Sequence, residues 1–420
     1  MTMPIAGHSW PPDWWENVED ADGAGHALST EAAYHLAERA RKAVPVTRVH
    51  RLTDLGSVKI PVWAAVTPCT KDLTVHLGKG SSDTLAELSA IFEGIERFSA
   101  ENVPAHQIVS TDEDIDLRRE VIRRLRLPHI EAELLSDQWV HAWDLIRHEH
   151  TSLPAKTVLS PVVVDGVYRA DTTGLASGGH HIEAVLHGIY ELIERDAVAA
   201  LEFDQQFGNR SRRYRPQILH LQEHPELASI IDRITYAGFS ISAFGLDAVG
   251  RTATYCVYLI DRIGANSIGH PSVFMGAGSA KSGSRALTRA VCEAVQSYAG
   301  FTLGARETFE GWSEDIMDDD EKIESRQTYL LNLLDATSAP PERSAALSGP
   351  EYDSLLEELE NLIDRLRDDG AEDIFIADLT RPDLHVPVIR AVIPCLARPH
   401  GATLFPTSLR LYARMLDYHV

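Results

Sequence analysis

The stretch AIFEGIERFS, residues 90–99, and the stretch HGIYELIERD, residues 187–196, each carry Glu-x-x-Glu-Arg inside an apolar helical pattern. On a helical wheel, Ser89, Glu93, Glu96 and Arg97 gather into one polar stripe. The same angular slots hold His187, Glu191, Glu194 and Arg195 in the second helix, with Glu183 one turn earlier. A third helix, from about Ser284 to Tyr298, puts Arg289, Glu293, Gln296 and Ser297 there. The opposite faces are apolar: Leu88, Ile91, Ile95 and Phe98, then Leu186, Ile189 and Ile193.

One reading is a solvated helix face stitched by Glu93–Arg97 and Glu191–Arg195, pairs worth roughly 0.2–0.5 kcal/mol each. Three features favour another. The stripes are interleaved with Ala86, Ala90, Ala184 and Gly188, not with the long polar side chains of a wet surface. Glutamates at i and i+3 set like charges side by side, which is unfavourable unless a cation lies between them. Each helix also follows a Gly-rich stretch: GKGSS, GLASGG and GAGSAKSG. Clustered carboxylate oxygens suit Mg2+, and neighbouring arginines suit phosphate. Nucleotide binding or phosphoryl transfer needs both together.

Positioning these stripes requires strands that feed helices. VTRVHRL, IPVWAAVTP and LTVHLGKGSS read as strands, the last ending in a Gly-rich turn before a helix from Thr84 to Asn102. VHAWDLI, KTVLSPVVV and VYRAD read as strands, and TTGLASGGHH as a loop into a helix running to about Leu201. FSISAFGLD and ATYCVYLID alternate as antiparallel strands, and VFMGAGSAKSG reads as a further Gly-rich turn. DLRREVIRRLRLP is an amphipathic connector with a solvated face, and acidic helices occupy residues 351–369 before the strands DIFIADL and VPVIRAVIPCL. The fold class expected is α+β, with antiparallel sheets and long helices. Residues 1–45 form an N-terminal segment with one helix, STEAAYHLAERARKAV, and 46–420 the main domain.

The net charge of −23 argues against a broad nucleic-acid footprint. No apolar run reaches membrane-helix length, and the N-terminus lacks a signal-peptide pattern, so the cytoplasm is the expected location. Cys69, Cys256, Cys292 and Cys395 are too scattered for a zinc knuckle or disulfide framework and read as isolated thiols. LTVHLGKGSS fails the P-loop spacing, and GAGSAK is only a near miss to G-x-G-x-x-G. His148 with His150, and His180 with His181, read as loop histidines, with transition-metal binding as the alternative.

Together, GKGSSDTLAELSAIFEGIERFSAE, TTGLASGGHHIEAVLHGIYELIERDA and GAGSAKSGSRALTRAVCEAVQSYAGFTLGARE resemble the YcaO family, over about residues 46–400. The resemblance implies an ATP- and Mg2+-dependent enzyme that activates peptide backbone amides by phosphorylating the amide oxygen. Sulfide as nucleophile gives a thioamide, a side chain gives an azoline, and an amine gives an amidine. It implies Glu93, Glu96, Glu191 and Glu194 as metal-binding carboxylates and Arg195 on phosphate. Glu183, Lys79 and Arg306 are further nucleotide-site residues on the same grounds, and Ser89, Arg97 and His187 share the stripes. No general base is identified. Gly179 stands where many members carry Asn, Tyr298 where Arg is usual, and Glu307 and Thr308 replace two aspartates. The tail LRLYARMLDYHV lacks the Pro-x-Pro-x-Pro ending of azoline formers, and LTDLGSVKIPVWAAV resembles the TfuA-associated, thioamide-forming branch. The expected partners are a precursor peptide or protein, a TfuA-like or leader-binding protein, and a second copy in a homodimer. A non-catalytic, peptide-presenting protein and a small-molecule amide ligase are the alternatives.

Overall fold

The computed structural model describes residues 10–71, 73–109, 115–127, 134–135, 137–164, 167–169, 171–207, 217, 219–261, 273–304, 346–398, 408 and 410–411. Strict alternation in β12 (Phe375–Asp378) and β13 (Val388–Val392) splits the core into two layers. Phe375, Ala377, Val388 and Val392 face one apolar cluster, while Ile376, Ile389 and Ala391 face the other. These strands are the middle of an antiparallel sheet ordered β5-β4-β12-β13-β8, with β4 at Trp139–Asp144, β5 at Glu149–Pro154 and β8 at Leu175–Ser177. Helices α1 (Thr30–Ala40), α2 (Asp83–Glu101) and α3 (Ile115–Arg124) cover the first face through Leu36, Ile91, Ile95 and Val121. The second face carries α4 (His181–Phe207) through Ile189 and Ile193.

Two further antiparallel sheets repeat one plan, three strands and then a helix. β1 (Arg48–Arg51), β2 (Val62–Val66) and β3 (Val75–Lys79) lead into α2. After α5 (Pro225–Tyr236), β9 (Phe239–Gly245), β10 (Ala253–Asp261) and β11 (Val273–Ala280) lead into α6 (Gly283–Leu303). The two units share a core in which Ile60, Val62 and Ala64 join Val257, Ala290 and Val291. Helix α7 (Leu355–Asp368) adds Leu359 and Leu362 to the α4 side of the central sheet. Among the described residues no helix is long and apolar enough to cross a membrane.

The stretch VFMGAGSAKSG, expected as a turn, is instead strand as far as Ala280, with Gly276 opposite Val257 and Gly278 opposite Tyr255. Glycine serves here to admit a helix. A Cβ at Gly276 would sit 2.2 Å from Ala290 O and Ala294 N, and one at Gly278 2.1 Å from Ala286 O. Gly78 does the same in β3, 2.1 Å from Ala86 O and 2.2 Å from Ala90 N. The alanines of the stripes are thus fully buried where helix backbone lies on bare strand.

KTVLSPVVV is also not one strand. Ala155–Val158 form a helical turn, and β6 (Val162–Val164), which pairs antiparallel with β7 (Val167–Arg169), begins only past Pro161, whose missing N–H cannot join a ladder. The connector α3 keeps Glu120 and Arg123 in solvent but turns Arg124 inward onto the buried Asp144 and Asp373.

Gly276→Ala is expected to destabilise the protein by roughly 3 kcal/mol through forced helix–strand separation. At Gly94 the nearest atom to an added Cβ is His76 Cδ2 at 3.3 Å, so Gly94→Ala should be close to neutral in denaturant unfolding. Equal midpoints for the two variants would contradict the packing account.

Candidate functional site

Three strand–turn–helix units, β3–α2, β8–α4 and β11–α6, aim their helices at one cavity of about 1320 Å³. The turns are short, and Ser82 caps α2 by accepting from Leu85 N at 3.3 Å. Lys79 reaches the cavity from β3, and Ser89, Glu93, Glu96 and Arg97 from α2. Glu183, His187, Glu191, Glu194 and Arg195 line it from α4, and Arg289, Glu293 and Gln296 from α6. The structure therefore brings together every candidate residue of the stripes, and Lys79 with them. Arg306, like the departures at Glu307 and Thr308, lies outside the described residues.

The stripes do not simply pair within their own helices. Arg97 Nε donates to Glu93 Oε1 at 3.2 Å, the expected i,i+4 contact. Ser177 Oγ, however, crosses from β8 to Glu96 Oε2 at 3.2 Å, and Gly174 N donates to Glu191 Oε2 at 3.1 Å. Lys79 Nζ bridges to Glu293 Oε2 on α6 at 2.5 Å. Arg195 stands loosely between Glu191 and Glu194, at 3.8 and 3.9 Å.

Burial and like charge dominate the electrostatics. Burial, with Glu191 and Glu93 beside it, pushes the Glu96 carboxyl well above its ordinary range. Burial also raises Glu191, against the pull of Arg195. Glu194 is raised to about 7, by burial first and then by Glu293. Glu293 is held below its ordinary value by Lys79, Arg195 and Arg289 in spite of its own burial. His187 opens onto the cavity, yet enclosure and the cations of Arg289 and Lys79 drive its imidazole well below the usual value, so it is neutral at pH 7.

This set fits a metal-bridged polyphosphate. The carboxylates repel one another without a cation, and Arg289 Nε is a buried donor with no hydrogen-bond partner among the described residues. Among the described residues no three His, Cys, Asp or Glu side chains make a preformed cage. Such an open arrangement leaves coordination positions for water and phosphate, as Mg2+ prefers.

Of the departures among the described residues, Tyr298 lies off the cavity and Gly179 lines it. Tyr298 is buried edge-on against Phe239 and Phe274, away from the stripe, with its ring filling the space beside Gly56. Gly179 is covered by Leu28, whose Cγ would lie 2.6 Å from an added Cβ. Arg289 and Glu293 shared the slots of the catalytic-looking residues in the sequence, the signal that should have drawn them into the candidate set. Lys281, Arg285 and the N-terminal residues 22–26 and 28 also line the cavity, and no periodicity announced them.

The raised carboxyl of Glu194 makes a sign-definite prediction. Its contribution to stability is fully present below its ordinary value of 4.5 and is lost as pH rises through about 7. In metal-free protein, Glu194→Gln should match the wild type at pH 5 and exceed it by roughly 2 kcal/mol at pH 8. A gap independent of pH would contradict the assignment.

The sequence model of the YcaO family, described as an ATP- and Mg2+-binding cyclodehydratase, matches residues 77–397. A protein of Methanothermobacter thermautotrophicus is 29% identical over 368 residues, 84% of this chain and 90% of that protein. A protein in the tfuA 3′ region of Rhizobium leguminosarum bv. trifolii is 28% identical over 372 residues, 84% of this chain and 83% of its own length. The structure of YcaO from Methanopyrus kandleri bound with AMPPCP and Mg2+ superposes with a TM-score of 0.66 at 22% identity, covering 91% of this chain and 95% of that one. A heterocyclase in complex with substrate and cofactor superposes at 0.67 with 18% identity, over 96% of this chain and 58% of that one. With the family match spanning most of the chain and the fold shared along nearly its whole length, the protein belongs to the YcaO family, an ATP- and Mg2+-binding family.

Proposed function

We propose that the chain activates a backbone amide of a ribosomally made peptide or a protein, at the expense of ATP, and that the amide oxygen leaves as phosphate. The observation that carries this reading is the convergence of carboxylates and cations from three helices on one cavity. Glu93 and Glu96 on α2, with Glu191 and Glu194 on α4, would hold Mg2+. Lys79, Arg195 and Arg289 would meet phosphate oxygens, and the unpartnered Nε of Arg289 supports its place in that set. Bound Mg–ATP would supply the phosphoryl group and the counter-charge that the carboxylates lack. The residues' own work is to hold fixed charges in a walled site, where they act more strongly than in water. The neutral His187 fits such a site as a hydrogen-bonding group that adds no charge.

Sulfide is the nucleophile that we assign, giving a thioamide. Support comes from the relative in a tfuA 3′ region, and with it a TfuA-like partner chain. Azoline formation is the second reading, favoured by the shared fold with a heterocyclase. A homodimer and a cytoplasmic setting complete the proposal.

Incubation of the chain with a TfuA-type partner, a candidate peptide, sulfide and Mg–ATP should replace one amide oxygen by sulfur, read by mass spectrometry. Loss of one water instead would select azoline formation, and phosphate release with an unaltered peptide would contradict both. Because Glu194 must be ionised to meet a cation, Mg–nucleotide affinity should rise as pH rises through about 7, with proton release on binding. Calorimetry in buffers of different ionisation enthalpy reads the released proton, and its absence would exclude Glu194 from the metal set.

A further inference from the structure

The N-terminal residues that line the cavity belong to a strap that crosses it, outside the stretch matched by the family model. Its approach is pinned by aromatic stacking, Trp10 on His148 with centroids 4.6 Å apart and Trp14 on His181 at 5.5 Å. Leu355 N then donates to Val18 O at 2.8 Å. Asp20 follows, 3.3 Å from Lys281 Nζ and 3.6 Å from Arg285, and its other oxygen accepts from Gly25 N at 2.8 Å, closing a tight loop. Arg285 also donates to Gly23 O. At the far end, Glu183 gives both oxygens to the strap: Oε1 meets His26 Nδ1 at 3.0 Å, and Oε2 accepts from Ala27 N at 3.0 Å. Gly179 N completes that carboxylate at 2.9 Å, and Leu28 then seals Gly179.

We infer that Asp20 and His26 are positioning residues, which clasp residues 20–28 to α4 and α6 as a working wall of the nucleotide cavity. The inference rests on the Mg–ATP reading for what the wall encloses, but the clasp itself is a property of the empty protein. Its two ends differ in chemistry. Asp20 is held below its ordinary value by Gly25 N, Arg285 and Lys281 despite burial, so that end stays ionised across the neutral range. The His26 ring is about half exposed, with a side-chain exposure of 48%, so solvent reaches it. The groups facing it are Glu183 and His187 on α4, Asp22 within the strap at 4.0 Å, and Arg285 on α6.

Glu183 raises the His26 imidazole above 6.5, its ordinary value, and Asp22 adds to this, while burial and Arg285 oppose it. The sign follows. The clasp is strongest below pH 6.5 and weakens as pH rises through the raised value. Strap closure therefore carries the opposite pH sense to ionisation of the carboxylates across the cavity.

Amide hydrogen exchange of the full chain, expressed as protection factors, tests the clasp directly. Residues 24–28 should be protected at pH 6 and lose about tenfold of that protection in His26→Ala, the worth of one charge-assisted hydrogen bond. At pH 9 the wild type should fall to the level of His26→Ala. Asp20→Asn should lower protection at residues 23–25 at both pH values, and provides a second variant if His26→Ala folds poorly. Protection that is the same in wild type and both variants, or that does not change with pH, would overturn the clasp. Addition of Mg2+ with a non-hydrolysable ATP analogue should raise protection of 24–28 in the wild type. Binding seen by calorimetry without that rise would overturn the strap as a wall of the site. Absence of binding altogether would instead count against the Mg–ATP reading and leave the clasp standing on the exchange of the empty protein.

Discussion

Carboxylates crowded into the wall of a protein cavity cannot all be ionised at neutral pH unless positive charge lies among them, because the low dielectric amplifies each repulsion. Glu96, Glu191, Glu194 and Glu293 are in that position. Lys79 and the arginines satisfy Glu293 and leave the other three short of charge. The rest of the fold can be understood as the means of keeping these groups together in spite of the repulsion. Two sheets with glycine-bared strands let α2 and α6 lie directly on backbone, so the helix axes come close enough for side chains of three helices to meet. The central sheet then carries α2 on one face and α4 on the other, which fixes the two relative to each other.

Much of this could be read from the chain before any coordinates. A period near 3.6 separates Glu93, Glu96 and Arg97 from Ile91 and Ile95 whatever the tertiary fold, and small residues beside the stripe mark close approach by another backbone. Where the reading failed, the cause was local ambiguity. Glycines in GAGSAKSG signal a turn as strongly as they signal a strand that must accept a helix, and only the partner helix decides between the two. Tyr298 looked like a loss from the site because the family resemblance implies Arg at that position. One residue past Ser297 turns it off that face and into the cluster around Phe239 and Phe274. The strap was not legible at all. Asp20 and His26 sit in a stretch without periodicity, and their partners Lys281, Arg285 and Glu183 lie far along the chain.

The N-terminal segment also supplies part of the cavity wall. The space beside Gly179 is filled by Leu28, whose Cγ would lie 2.6 Å from an added Cβ, so a larger residue at 179 would require the segment to move. That wall comes from residues outside the stretch matched by the family model, whereas the three helices it covers lie within it.

The central claim is that the α4 carboxylates hold a metal-bridged nucleotide, and titration of ATP into the wild type and Glu191→Gln, with and without Mg2+, tests it most directly. The account predicts Mg2+-dependent binding of about micromolar strength in the wild type and its loss in the variant, with thermal stability kept. Equal binding in the two proteins, or wild-type binding indifferent to Mg2+, would contradict it.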